Sequence, residues 1–131
     1  MTIRIAAAAS ALPEHRYDQS TLTAYLERVF AHDPAAARRL PQLHANSQVV
    51  CRHLALPLER YEELRSFTDF NRAWTECALE LGERAVLAAL AQAGLRPEDV
   101  DAIFFATVTG LASPSIDARL MNRLPFRSDV A

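Results

Sequence analysis

The sequence predicts an α/β fold, on three observations. Two short apolar runs, positions 3–9 with β-branched residues at its start and positions 103–109, have the length of buried strands rather than of helices. Between them, residues 70–93 repeat apolar side chains at helical spacing. A strand, a long helix and another strand make a βαβ-like unit, and a continuous apolar strand such as 103–109 is the kind found inside a parallel sheet. The chain has 131 residues, half of them apolar, enough to bury roughly 70% of its unfolded surface, so one globular domain over residues 1–131 is expected.

Each element follows from its own signals. The first run starts with Ile3 and Ile5 and is ended by the turn-prone Ser10 and Pro13. After a polar loop, Asp18 or Ser20 can cap a helix whose Leu22, Tyr25, Leu26, Val29 and Phe30 recur at helical spacing and which ends near His32. Asp33-Pro34 restarts a helix, a cap residue followed by proline in the first turn, and Pro41 either kinks it or ends it. Val49 and Val50 make residues 47–54 a short extended segment, and Pro57 precedes a one- or two-turn helix at 58–64.

The long helix sets Phe70, Ala73, Trp74, Cys77, Ala78, Leu81, Ala85 and Ala88 on one stripe, with Gly94 as its C-terminal cap. Its stretch 85–91 is apolar all round, which predicts cover on more than one side. Residues 96–100 read as a turn with a short helical start. Residues 110–113 leave the carboxyl end of the second strand as a loop, and Pro114-Ser115 opens a helix with Asp117 in its first turn and Ile116, Leu120 and Leu124 as its apolar side. In open α/β sheets, ligands gather at such strand ends. No internal repeat, low-complexity stretch or interdomain linker interrupts the chain.

Composition excludes several function classes. The 14 basic residues against 16 acidic ones leave a net charge of −2, without the cationic footprint that nucleic acid or an anionic bilayer requires. All 14 are Arg, so neither Schiff-base chemistry nor a phosphate-loop lysine is available. The 24 alanines beside an Arg-only basic set point to a GC-rich bacterial genome. Two cysteines make no disulfide framework, and nothing has the paired spacing of a zinc site. No stretch matches a signal peptide's apolar core or a membrane span, and a cytoplasmic protein is expected.

Among candidate chemical groups, Cys77 lies beside Trp74 and Leu81 on the apolar stripe and reads as a structural thiol. Cys51 and His53 would share one face of a strand while Arg52 points to the other, but parallel side chains with no third group to orient the imidazole make a poor dyad. His15, His32 and His44 lack ligand spacing, and no metal is expected. Glu59, Arg60, Glu62, Glu63 and Arg65 read as a solvated helix face. Thr107, Thr109 and Ser113 cluster near a strand end, either as ordinary turn chemistry or as the wall of a small-molecule pocket.

The segment from Thr107 through Val108, Thr109, Gly110, Ser113, Pro114 and Asp117 to Leu120 resembles the T-x-[ST]-G-x-x-x-P-x-x-D-x-x-L signature of type III polyketide synthases, the chalcone-synthase-like branch of the thiolase superfamily. His44-Ala45-Asn46-Ser47 with the run Arg52 to Leu58 resembles the segment near that family's coenzyme A entrance. Asp99 to Ile103 resembles the lead-in to its core strand. The resemblance covers essentially the whole chain in order and is nearest to bacterial members.

It implies the amino-terminal part of a thiolase-like layered αβαβα fold. In that family an acyl-CoA starter is loaded on a cysteine, malonyl-CoA units are decarboxylated and condensed, and the product closes to a resorcinol, pyrone or naphthol. By matching position, Val108 and Thr109 wall the starter pocket, Ser113 crosses the interface of a homodimer, and Arg52 stands near coenzyme A. Coenzyme A thioesters are then substrates, and no covalently bound cofactor is implied. Val50 and Cys51 depart from the pattern, since some members are basic there. The family's nucleophilic cysteine falls beyond the position of Ala131, with its histidine and asparagine later still, so no catalytic residue maps onto this chain. Other readings stay open. They are a truncated, non-catalytic remnant acting as a dimerisation or interaction module, and a sibling such as ketoacyl synthase III or hydroxymethylglutaryl-CoA synthase.

Overall fold

The computed structural model describes residues 2–131, which divide into two compact units. One is residues 13–58, and the other joins residues 2–12 to residues 59–131.

In the first unit, β1 (His15–Asp18) pairs antiparallel with β2 (Cys51–Leu54), with Tyr17 opposite Arg52 and Arg16 opposite His53. Sequence reading places β1 in a polar loop, because four residues with three charged or imidazole side chains carry no apolar alternation. The pairing with β2 makes it a strand, and the ladder runs on into the backbone bond from Gln19 N to the Val50 carbonyl, 2.8 Å. Tyr17 anchors it further by accepting the Leu58 N–H at its hydroxyl, 3.1 Å.

Two helices follow, and only the second has a side-chain cap: Asp18 precedes the first without the capping hydrogen bond the sequence suggests. Helix α1 (Gln19–Val29) begins at Asp18 and buries Leu22. Helix α2 (Pro34–Ser47) begins as the sequence predicts: the Asp33 carboxylate accepts from the Ala35 and Ala36 amides, both at 3.0 Å. Pro41 does not end α2, which continues to Ser47 and stops where Gln48 takes a left-handed conformation at φ 53°. The extended segment is therefore shorter than its predicted span of 47–54. Helices α1 and α2 pack on each other.

The short α3 (Leu58–Tyr61) starts at the last residue of the first unit, and the second unit carries α4 (Phe67–Ala93), whose 27 residues span about 40 Å. Helix α4 starts earlier than its apolar stripe because Ser66 and Asp69 form a capping box. The Ser66 hydroxyl accepts from the Asp69 amide at 3.2 Å, and the Asp69 carboxylate accepts from the Ser66 amide at 3.0 Å. The predicted Gly94 cap forms at φ 68°. A 3₁₀ turn at Pro97–Asp99 follows, and α5 (Ile116–Leu120) packs on α4 with Ile116, Leu120 and the downstream Leu124 buried. Arg123 and Glu83 pair at 2.9 Å beside that contact.

Two expectations need correction. Residues 3–9 and 103–109 form no sheet ladder, and the only sheet among the described residues is the antiparallel β1–β2 pair, so the βαβ unit is not closed. A strand exists through hydrogen bonds exchanged with a neighbour, and no strand among the described residues lies alongside either run. Residues 101–103 make the one beginning of such a pairing: Ile103 N donates to the Ala131 carbonyl at 3.0 Å and Ala131 N to the Asp101 carbonyl at 3.1 Å, the slanted spacing of a parallel ladder. Ile3, Ile5, Phe104 and Val108 are consequently exposed. The apolar stretch of α4 is only partly covered: Leu87, Ala88 and Ala91 are exposed, and no residue of the helix is fully buried.

Candidate functional site

Residues 107–114 form a loop held at its middle and its far end. Asn71, in the second turn of α4, donates from Nδ2 to the Leu111 carbonyl and accepts the Leu111 amide at Oδ1, both at 2.8 Å. This planar two-bond clamp reproduces what a neighbouring strand would offer one peptide. One turn further along α4, the Trp74 indole lies against Gly110 so closely that a Cβ there would overlap the ring. Gly110 is required by that approach and not by its own backbone, which is not left-handed.

Arg119 of α5 holds the other end, donating from Nε to the Pro114 carbonyl at 2.9 Å and from Nη2 to the Ser113 carbonyl at 3.4 Å. The Ser113–Pro114 peptide is cis, as a proline in a tight turn permits. Asp117 begins α5 with its carboxyl held below the usual carboxylate range, chiefly by the Ser115 hydroxyl. Its Oδ1 is buried without a hydrogen-bond partner among the described residues.

The structure thus brings Val108, Thr109 and Ser113 onto one segment, all three exposed. The Thr109 amide donates to the Thr107 hydroxyl at 3.1 Å, so one of the clustered hydroxyls serves turn chemistry. Upstream, Arg127 ties the lead-in together, bonding Asp101 at 2.9 Å, Asp129 at 3.0 Å and the Glu98 carbonyl at 3.1 Å. Those bonds raise the guanidinium's already high pKa, Asp101 contributing most.

Arg52 belongs to the other unit. It is exposed on β2, and its Nε donates to Gln19 Oε1 at 3.1 Å. In the same unit α1, α2 and the strand lead-in frame an open groove of about 540 Å³, with Thr23, His44, Gln48, Val49 and Val50 among its walls. The Thr23 hydroxyl donates to the Gln19 carbonyl at 2.8 Å, the usual back-bond of a helical threonine, and therefore accepts from His44 Nδ1 at 2.7 Å.

The cysteine–histidine pair does not assemble. The His53 Nδ1 is engaged with the Pro13 carbonyl at 2.6 Å, which directs the imidazole to backbone and not to Cys51. Burial, with Glu80 second, pushes the Cys77 thiol pKa up, as a structural role requires. No group of three or more His, Cys, Asp or Glu side chains able to hold a metal occurs among the described residues, and no helix is long and apolar enough to cross a membrane.

The residues missed by sequence reading are Asn71 and Arg119. Asn71 carried one signal: a weak helix former with a short amide, placed inside a strongly helical stretch beside Phe70.

Comparison with known proteins converges on one class. No protein-family model matches the chain. It is 43% identical over 126 residues to 1,3,6,8-tetrahydroxynaphthalene synthase of Streptomyces peucetius subsp. caesius, covering 96% of this chain and 33% of that protein. It is 31% identical over 114 residues to phloroglucinol synthase of Pseudomonas fluorescens, covering 86% of this chain and 32% of the relative. The crystal structure of 1,3,6,8-tetrahydroxynaphthalene synthase from Streptomyces coelicolor A3(2), a bacterial type III polyketide synthase, superposes with a TM-score of 0.80 at 29% identity, over 93% of this chain and 35% of that one. The chain therefore spans about a third of the length of the proteins it matches. The fold is accordingly α/β, the amino-terminal part of the thiolase-like layered fold. Within it, the chain is similar to type III polyketide synthases over about a third of their length.

Proposed function

We propose that these residues supply the coenzyme A approach and the starter-pocket wall of a cytoplasmic, homodimeric acyltransferase that condenses an acyl-CoA starter with malonyl-CoA units. The product is a polyketide of resorcinol, pyrone or naphthol type. In this reading residues 1–131 are one incomplete domain. Arg52 contacts the coenzyme A thioester, Val108 and Thr109 line the starter pocket, and Ser113 reaches across the two-fold axis to the partner subunit. The observation that carries the reading is the Asn71 clamp with the Arg119 latch: a loop fixed at Leu111 and Pro114 while Val108, Thr109 and Ser113 stay exposed is shaped to wall a ligand.

The chemistry needs a thiolate nucleophile and an imidazole partner, and neither Cys51 nor Cys77 is placed for it. What this part does is bind, orient and exclude. The test is to express the gene's complete product and, separately, residues 1–131, and to incubate each with acyl-CoA starters and radiolabelled malonyl-CoA. The complete product is expected to release carbon dioxide and form a labelled aromatic or pyrone. The 131-residue piece is expected to form no acyl adduct by intact mass. An acyl group on Cys51 of the piece, or a complete product that binds partner proteins yet never condenses these thioesters, overturns the reading; the second result favours the interaction-module alternative.

A further inference from the structure

We propose that Asn71 is a positioning residue for starter selection, fixing from α4 the peptide that sets where Val108 and Thr109 stand. The inference rests on the functional reading above and goes beyond it, because Asn71 touches no substrate in that reading.

Val108 is fully exposed, so packing does not locate its side chain. Among the described residues, no backbone group from 104 to 110 bonds to another element, and the single bond there runs within the turn, from the Thr109 amide to the Thr107 hydroxyl. The segment is therefore placed by its two ends. One is Ile103, five residues before Val108, on the Ala131 carbonyl. The other is Leu111, only three residues after Val108, and its amide and carbonyl both go to the Asn71 carboxamide.

Only an amide of this length serves both. Asp at this position accepts the Leu111 amide but turns a carboxylate oxygen toward the Leu111 carbonyl, and Ala offers nothing. Trp74 closes the same junction from the next turn of α4, so the clamp cannot slide toward Gly110. A pocket wall discriminates acyl chains by about 10- to 200-fold per methylene only where its atoms are held to within about 0.5 Å. Releasing Leu111 loosens that wall without removing any group that meets the starter.

The experiment uses the gene's complete product, with Asn71→Ala and Asn71→Asp, and with Leu22→Val as a control that thins the buried side of α1 far from the loop in sequence. Three quantities are read: kcat/KM for straight-chain acyl-CoA starters of increasing length, malonyl-CoA decarboxylation without starter, and hydrogen exchange at the Leu111 amide. Asn71→Ala is expected to speed Leu111 exchange, and both Asn71 variants to lower the ratio of best to worst starter by about 10-fold or more, with decarboxylation unchanged. Leu22→Val is expected to lower the melting temperature and keep the ratio. Faster Leu111 exchange with the ratio intact overturns the proposal, as does an equal loss of selectivity in Leu22→Val. A variant that fails to fold leaves the other to decide. A wild type that condenses nothing overturns the functional reading, and this inference falls with it; an active wild type whose selectivity survives in both Asn71 variants overturns this inference alone.

Discussion

Replacing Gly110 with alanine tests the loop's anchoring directly. The backbone at Gly110 is not left-handed, so alanine is conformationally allowed and by itself would add about 0.4–1 kcal/mol by restricting the unfolded chain. Against that gain, the new methyl overlaps the Trp74 ring. Overpacking of this kind costs about 1–3 kcal/mol, and pushing the loop off α4 weakens the two Leu111 bonds, each a net contribution of about 1 kcal/mol. The expected balance is a loss of about 2 kcal/mol. Urea unfolding followed by circular dichroism measures it, in the wild-type background and in Trp74→Leu, where the smaller side chain leaves room for the methyl. There the same substitution is expected to cost less than about 0.5 kcal/mol, a coupling that distant sites do not show. Gly94→Ala is the contrast: its φ of 68° and empty surroundings predict a backbone cost of about 1–2 kcal/mol that Trp74→Leu leaves untouched. A Gly110→Ala protein within about 0.5 kcal/mol of wild type, or one that loses the same stability in both backgrounds, refutes the reasoning.

Acid stability depends partly on the α4 cap. The Ser66 hydroxyl, followed by the Arg65 amide, holds the Asp69 carboxyl below its ordinary value of 3.8. With the folded pKa depressed, the stabilisation is present above 3.8 and is lost as pH falls through the lower folded value, so Asp69→Asn is expected to flatten the fall in melting temperature below about pH 4. Asp117 and Asp129 are lowered as well and retain part of the slope; an unchanged acid limb in Asp69→Asn contradicts the cap's role. For residues 1–131 on their own, exposed Ile3, Ile5, Phe104, Val108 and Leu111 predict self-association or strong binding of a hydrophobic dye. A monodisperse monomer that leaves the dye dark in sedimentation and fluorescence experiments goes against it.

Local signals were read well where a helix decides its own ends. Asp33-Pro34, Gly94 and the α5 residues Ile116 and Leu120 behave as their positions predict, because caps and amphipathic spacing involve residues within a few positions of each other; Leu124 is buried too, although α5 ends at Leu120. The clamp was not legible for the opposite reason. Asn71 and Leu111 are forty residues apart, and each is ordinary in place: a polar residue in a helix, an apolar one in a loop. Gly110 looked like turn chemistry, whereas its constraint is the Trp74 ring. The resemblance named the loop's residues, but what holds them became visible only when α4 and the loop were seen together.

Strands show the same limit more sharply, since a strand is a relation between two segments. Residues 103–109 have the better β composition, yet among the described residues their backbone from Phe104 to Thr109 pairs with no other segment, and only residues 101–103 begin a ladder with Ala131. The polar His15–Asp18 has almost no β signal and is a strand, because α1, α2 and the turn at Gln48 return the chain so that Cys51–Leu54 runs antiparallel beside it. Apolar composition states what burial would stabilise; hydrogen-bond pairing requires a neighbour at about 4.8 Å with its own groups free. That condition is set by how the connecting helices are capped and ended. The left-handed Gln48, a residue with no glycine to announce it, ends α2 three residues before β2 begins.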